Sequence, residues 1–167
     1  MKLARIDFSS PIGPIEAYCS KVAVVGLGFS DKAERERSWL ERRFDGLDAE
    51  PVKDALGLYM ALKRYFDGDI QALEELPADG GGTPFQREVW VALRSIKPGE
   101  TTTYGDLAKR LHREGAQRAV GAANGANPIS LIVPCHRVIG HANKLTGYGG
   151  GLERKHWLLR HERALLC

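Results

Sequence analysis

The chain has 167 residues, of which 43% are hydrophobic and 27% charged, with a formal net charge of +3 at pH 7. That is the profile of a soluble globular protein of one domain, or one domain with a small appendage. No apolar run approaches the roughly 18 residues of a membrane span, and the opening MKLARIDFSSPIGP has no long apolar stretch of the secretory kind. The expected location is therefore the cytoplasm, or the nucleus in a eukaryote, with no membrane partner. Cys19, Cys135 and Cys167 are too few and too far apart for a disulfide framework and are expected to be reduced. The charge is uneven. Residues 1–80 hold 11 Lys/Arg against 15 Asp/Glu, and residues 81–167 hold 13 against 6 together with all five histidines. A net of −4 beside a net of +7 suggests that the second half meets a polyanion; scatter over a solvated surface is the alternative.

In chain order, KLARIDF, PIEAYCS and VAVVGLGF read as strands, the first two as a hairpin. DKAERERSWLERRFDG is a charged helical pattern. PVKDALGLYMALKRYFDG is a second, with Pro51 at its first helical position and Val52, Ala55, Leu56, Tyr59 and Leu62 at helical spacing. LPADGGG, Leu76 to Gly82, reads as a flexible linker. It divides an N-terminal support domain (1–76) from a C-terminal domain (83–167), with 77–82 between them. The expected class is α+β: a small N-terminal sheet with helices, then a mostly helical C-terminal domain containing a helix-turn-helix.

The second half opens on TPFQREVWVALRSIKPGE. Thr83 is the N-cap, Pro84 takes the first helical position, Gln86 completes a capping box, and Phe85, Val89, Leu93 and Ile96 form the core stripe. TYGDLAKRL is a short helix capped by Thr103. A turn with Gly115 leads into QRAVGAANGANP, a helix stopped by Asn127-Pro128. Two short helices about a glycine turn resemble a helix-turn-helix. SLIV is a short extended run, HANKLTGYGGG a loop, and LERKHWLLRHERALL a last helix with Leu152, Trp157, Leu158 and Leu165 inward.

The chemistry is expected at IVPCHRVIG, Ile132 to Gly140. A buried cysteine is most often a small hydrophobe. Here His136 follows Cys135 directly and can accept a thiol proton, straight or through one water. Arg137 adds positive potential that favours thiolate, and Pro134 presets the turn that aims the sulfur. A structural zinc needs four ligands, and no other cysteine or histidine stands at a suitable spacing, so neither metal nor cofactor is expected. A Cys-His acyl hydrolase remains open, although such sites draw their histidine from elsewhere in the chain.

GTPFQREVWVALRSIKPGETTTYGDLAKRL, RAVGAANGANPISLIVPCHRVIG and LTGYGGGLERKHWLLRHE together resemble the O6-alkylguanine-DNA alkyltransferases, the methylated-DNA–protein-cysteine methyltransferases. The resemblance runs from Gly82 to Glu162; in the first half only SPIGPIEA is suggestive. It implies direct-reversal DNA repair. Cys135 takes an alkyl group from O6 of guanine in double-stranded DNA as a thioether, once and irreversibly, without a cofactor. His136 takes the thiol proton through a water, and Glu162 orients the imidazole. Tyr104 donates to the base and crowds the phosphate. The carbonyls of Cys135 and Val138 accept from the exocyclic amine, and Tyr148 lines the pocket. Gly149 stands where some relatives carry serine, which suffices if only its N–H donates to O6 and otherwise leaves substrate range open. Asn127 ties its helix to the Cys135 turn.

The alkyl carbon is unreachable in a stacked duplex, so the nucleotide must be flipped out. Arg118 matches the residue that fills the vacancy. Ala119, Ala122, Ala123 and Gly125 are small enough for close approach, in the minor groove by the resemblance. The partner is duplex DNA carrying O6-alkylguanine, bound by a monomer, with cooperative loading left open. Blander readings stand beside these: a solvated face for Glu162, core packing for Tyr104, a phosphate contact for Arg118, a helix stop for Asn127. Arg137 reads as mainly structural. The rival functions are a lesion-binding module without transfer chemistry and a helix-turn-helix regulator with an inert thiol.

Overall fold

In the computed structural model, residues 1–141 and 145–164 are described, and they form an α+β fold. Two compact units emerge: Met1–Gly81 with Pro128–Ile132, and Gly82–Asn127 with the described residues from Val133 on. Leu165 and Cys167 lie outside the described residues.

The first unit is built on a four-stranded sheet in the order β3-β2-β1-β4. β1 (Lys2–Ser10) and β2 (Gly13–Cys19) form the expected hairpin, closed at Ser10–Gly13. Ser10 Oγ locks the turn, accepting from Ile12 N–H and donating to the Gly13 carbonyl at 2.6 Å. β3 (Val24–Phe29) is buried along its whole length, which is why it reads as an apolar run rather than an alternation. α1 (Glu34–Arg43) packs on β3. Leu3, Tyr18, Val25 and Leu40 form one core cluster, with Phe44, Leu47 and Ala49 packed against it.

One expectation fails here. The second helix does not begin at Pro51. Asp48–Pro51 is instead β4, a parallel edge strand on β1, and Val52 N–H donates to the Arg5 carbonyl at 2.9 Å. An edge is where a strand tolerates proline. Leu56 and Gly57 then take positive φ, 59° and 73°, so helical geometry starts only at Leu58. α2 (Leu58–Phe66) buries Leu58, Ala61, Leu62 and Tyr65, while Val52 and Leu56 stay exposed. The glycine-rich linker is strapped down as well. Val24 N–H donates to the Pro77 carbonyl, Asp79 N–H to the Val24 carbonyl, Trp39 Nε1 to the Gly80 carbonyl at 3.1 Å, and Arg43 grips Asp79.

Pro128–Ile132 groups with the first unit because its backbone pairs with Leu27. Leu27 N–H donates to the Pro128 carbonyl and Ser130 N–H to the Leu27 carbonyl, both at 3.0 Å. The extended run expected at SLIV is therefore a single bridge followed by turns. Ile132 N–H closes on the Ser130 carbonyl at 2.8 Å around Leu131, whose φ of 70° marks the strained hand of γ-turn.

The second unit starts with α3 (Pro84–Arg94), and the capping box of Thr83 and Gln86 is complete in both directions. Val89, Leu93 and Ile96 are buried as expected, Phe85 only partly, and Trp90 joins the core. Gly82 lets the chain pass over that indole: a β-carbon there would lie 2.7 Å from the Trp90 ring. α4 (Tyr104–Arg110), capped by Thr103, packs on α5 (Gln117–Gly125), and α3 packs on α5. β5 (Thr102–Thr103) pairs in parallel with β6 (Val138–Ile139). α6 (Leu152–His161) is the last helix among the described residues, with Glu162 at its C-cap. Its inward residues differ from expectation: Leu152 is exposed and Trp157 half-buried, whereas Lys155, Leu158 and Leu159 are buried.

Candidate active site

Cys135 begins a single 3-10 turn, Cys135–Arg137. Pro134, at φ −82° and ψ 65°, forms an inverse γ-turn in which Cys135 N–H donates to the Val133 carbonyl at 2.8 Å. Asn127 Nδ2 donates to that same carbonyl at 2.8 Å, tying the chain after α5 to the turn. The other described thiol, Cys19, is buried in β2, and burial pushes its pKa up to about 12, which leaves it inert. It borders a cleft of about 340 Å³ lined by residues of the first unit such as Lys2, Glu50 and Leu56. That cleft contains none of the expected site residues.

His136, Arg137 and Glu162 form a buried ionic cluster. His136 Nε2 lies 3.0 Å from both carboxylate oxygens of Glu162. Arg137 forks onto the same carboxylate, with Nε at 2.9 Å and Nη2 at 3.0 Å, and Nη1 donates to the Ile96 carbonyl at 2.6 Å. Burial works against the charged carboxyl, but the imidazole and guanidinium outweigh it and hold Glu162 well below the usual carboxylate range. An ionised carboxylate only accepts, so His136 Nε2 must carry hydrogen and donate. Nδ1 is buried with no hydrogen-bond partner among the described residues. Nδ1 is the ring nitrogen at which a proton could arrive. An imidazole held by a third group in this way could serve as the base that activates a nucleophile.

The remaining expected residues fall into two groups. The β5–β6 pairing holds the start of α4, and so Tyr104, beside the residues that follow the Cys135 turn. The Tyr104 ring also lies against α5, where a β-carbon on Gly121 would sit 3.7 Å from it. Tyr148 meets His136 edge to face at 6.4 Å between ring centroids. The Cys135 carbonyl accepts from Val138 N–H, and the Val138 carbonyl from Lys155 Nζ at 2.7 Å. Each carbonyl keeps one lone pair for another donor. Gly149 is exposed. On α5, Arg118, Ala119, Ala122 and Gly125 are exposed. Ala123 is a correction: its side chain is buried and its carbonyl accepts from Trp90 Nε1 at 2.8 Å, so it packs inward instead of lining the surface.

Residues 84–164 match the family described as 6-O-methylguanine DNA methyltransferase, DNA binding domain. Along its whole length the chain is similar to the methylated-DNA–protein-cysteine methyltransferases of Shigella flexneri, 44% identical over 169 residues, and Salmonella typhimurium, 45% over 170. Each alignment covers 99% of both chains. The chain belongs to the methylated-DNA–protein-cysteine methyltransferase family. Its fold is similar to that of Mycobacterium tuberculosis OGT, crystallised in complex with DNA, with a TM-score of 0.79 and 38% identity over 96% of this chain and 93% of that one.

Lys155 escaped the sequence reading. It is fully buried, and its Nζ donates to the carbonyls of Val138, Thr146 (2.6 Å) and Gly147 (3.4 Å). Burial pulls its pKa down to about 8, opposed by the charge of the Cys135 sulfur. The signal was present. Lys155, Leu158, Leu159 and Glu162 stand at i, i+3, i+4 and i+7, one face of a helix. Placing Glu162 inward therefore places Lys155 inward two turns earlier.

Proposed function

We propose that the chain carries out direct-reversal repair, moving a methyl or larger alkyl group from O6 of guanine in double-stranded DNA to Cys135 in one irreversible turnover. The observation that carries this reading is that the residue directly after Cys135 is an imidazole locked by Glu162, with Nδ1 unpartnered among the described residues. The thiol proton passes to Nδ1 through a water. The sulfur then attacks the alkyl carbon, so that an S–C bond forms as the C–O6 bond breaks. The guanine leaves with that electron pair and takes up a proton, and Tyr104 donates to the base to lower the barrier. The product is a thioether, which no group here can hydrolyse.

Cys135 is only 8% exposed, so the base must come to the sulfur. The nucleotide is flipped from the stack, the minor groove settles on the small exposed residues Ala119, Ala122 and Gly125, and Arg118 fills the vacancy. Tyr148, Gly149, Val138 and Asn127 shape the base pocket. The complex of the related M. tuberculosis OGT with DNA supports DNA as partner.

Incubating the protein with a duplex containing O6-methylguanine and weighing it tests the proposal. The expected result is one methyl per molecule, located on Cys135 and absent in Cys135→Ser. Folded protein that takes up no methyl would sink the reading; duplex binding without transfer would leave a lesion-binding or regulatory module in its place.

A further inference from the structure

Among the described residues no salt bridge to a carboxylate accompanies the buried Lys155 ammonium. Its three bonds all go to main-chain carbonyls, one in β6, just after the Cys135 turn, and two in the loop that leads to Tyr148. α6 packs on the Cys135–Arg137 turn. Carbonyl dipoles solvate an ammonium, but they do not neutralise it. The charges around Cys135 account for what does. On its own turn are His136 and Arg137; on α6 are Lys155 and Glu162; Tyr148 faces His136 from the loop. α3 also packs on the turn, and its buried residues Val89, Trp90 and Leu93 are uncharged. β5 and β6 contribute only threonines and aliphatic side chains. Arg137 and Glu162 face each other through two hydrogen bonds and cancel. Among the described residues named here, Lys155 is a cation bonded to no carboxylate, and the Cys135 sulfur is a group able to acquire a matching negative charge.

We infer that Lys155 is a positioning residue that supplies the counter-charge for the Cys135 thiolate while its carbonyl bonds hold two walls of the base pocket together. This rests on Cys135 being the acceptor. Coupling between two charges is reciprocal: what the sulfur does to the lysine, the lysine does to the sulfur. If removing the ammonium moves the thiol titration by one unit, the thiolate fraction near neutral pH falls about tenfold.

The test compares wild type, Lys155→Met and Lys155→Gln; glutamine keeps amide donors for the carbonyls but carries no charge. Single-turnover transfer from free O6-benzylguanine is measured from pH 5.5 to 9.5, together with thiolate absorbance referenced to Cys135→Ser. Both variants are expected to be about tenfold slower near pH 7 and to close most of that gap by pH 9.5, with thiolate appearing at higher pH than in wild type. A deficit constant across pH, with thiolate titrating as in wild type, would overturn the inference, because loosened pocket walls would lower the rate equally at every pH.

If neither variant folds, the reciprocal experiment needs only the acceptor exchange. In protein labelled with 13C-lysine, the Lys155 Cε titration is expected near pH 8 in wild type and lower in Cys135→Ser. An unchanged midpoint would overturn the inference. The two readings fail separately. Benzyl transfer to Cys135 in wild type with no pH signature in the variants removes only the role of Lys155. No transfer in folded wild type removes the acceptor reading itself.

Discussion

Exchanging Glu162 for glutamine probes the cluster at its hinge. The carboxylate accepts Arg137 Nε and Nη2 at 2.9 and 3.0 Å and His136 Nε2 at 3.0 Å, and its side chain is fully buried. Glutamine keeps one acceptor and turns an amide N–H₂ toward a donor. The guanidinium is left buried without its carboxylate, while Nη1 still donates to the Ile96 carbonyl. Removing one member of a buried ion pair costs about 3–5 kcal/mol, a large part of the roughly 5–15 kcal/mol that holds a typical domain. For a chain of this length that lowers Tm by roughly 6–20 °C. Urea denaturation and calorimetry at pH 7 measure it. The pH dependence adds a second readout. A carboxyl held below its ordinary 4.5 in the fold contributes stability that is present above that value and lost as pH falls below it. Wild type should therefore weaken below about pH 5 more steeply than Glu162→Gln. The double exchange Arg137→Met with Glu162→Met should be more stable than either single one, since it strands no charge. A loss under about 1 kcal/mol in Glu162→Gln, or an additive double exchange, would refute the account. In material that stays folded, alkyl transfer should slow by about 10²-fold or more, because the imidazole loses the group that orients it.

Arg118→Ala should weaken duplex binding and slow transfer from duplex DNA, with free O6-benzylguanine affected less; equal losses on both substrates would rule out a role in holding the opened duplex. Glu36 is buried on α1, one of its oxygens lacks a partner, and burial pushes its pKa up. A carboxyl raised in the fold contributes stability below its unfolded value that is lost as pH rises, so at neutral pH it is a cost. Glu36→Gln should raise stability by about 1 kcal/mol at pH 7 in urea denaturation, with the gain vanishing near pH 4.

The legible parts of the sequence were those whose physics is local. The capping box at Thr83 and Gln86, the Ser10–Gly13 hairpin and the halt at Asn127-Pro128 each involve residues a few positions apart, and each appears in the structure. The second-helix start at Pro51 was misread because proline fits both a first helical turn and an edge strand. Only the distant partner, β1, decides between them. The contacts of the glycine-rich linker were hidden for the same reason: Trp39 and Arg43, which donate to its carbonyls, lie dozens of residues upstream. At the site, Cys135 and His136 were readable as types of chemistry, and Glu162 only through the family resemblance. Lys155 was not, since a lysine on an amphipathic helix is assigned by habit to the wet side. Its spacing from Glu162 argued otherwise.

The double occupancy of Glu162 has a consequence for the proposed chemistry. Here Arg137 already claims both oxygens. The carboxylate orients His136 through Nε2 and is itself fixed by the guanidinium, so the imidazole is held firmly in direction. The negative charge left on sulfur then needs its own partner, and α6 carries one cation and one anion on the same buried stripe, Lys155 and Glu162, two turns apart. One helix face thus presents the counter-ion of the nucleophile and the anchor of its base, so rotating or fraying α6 should disable both together.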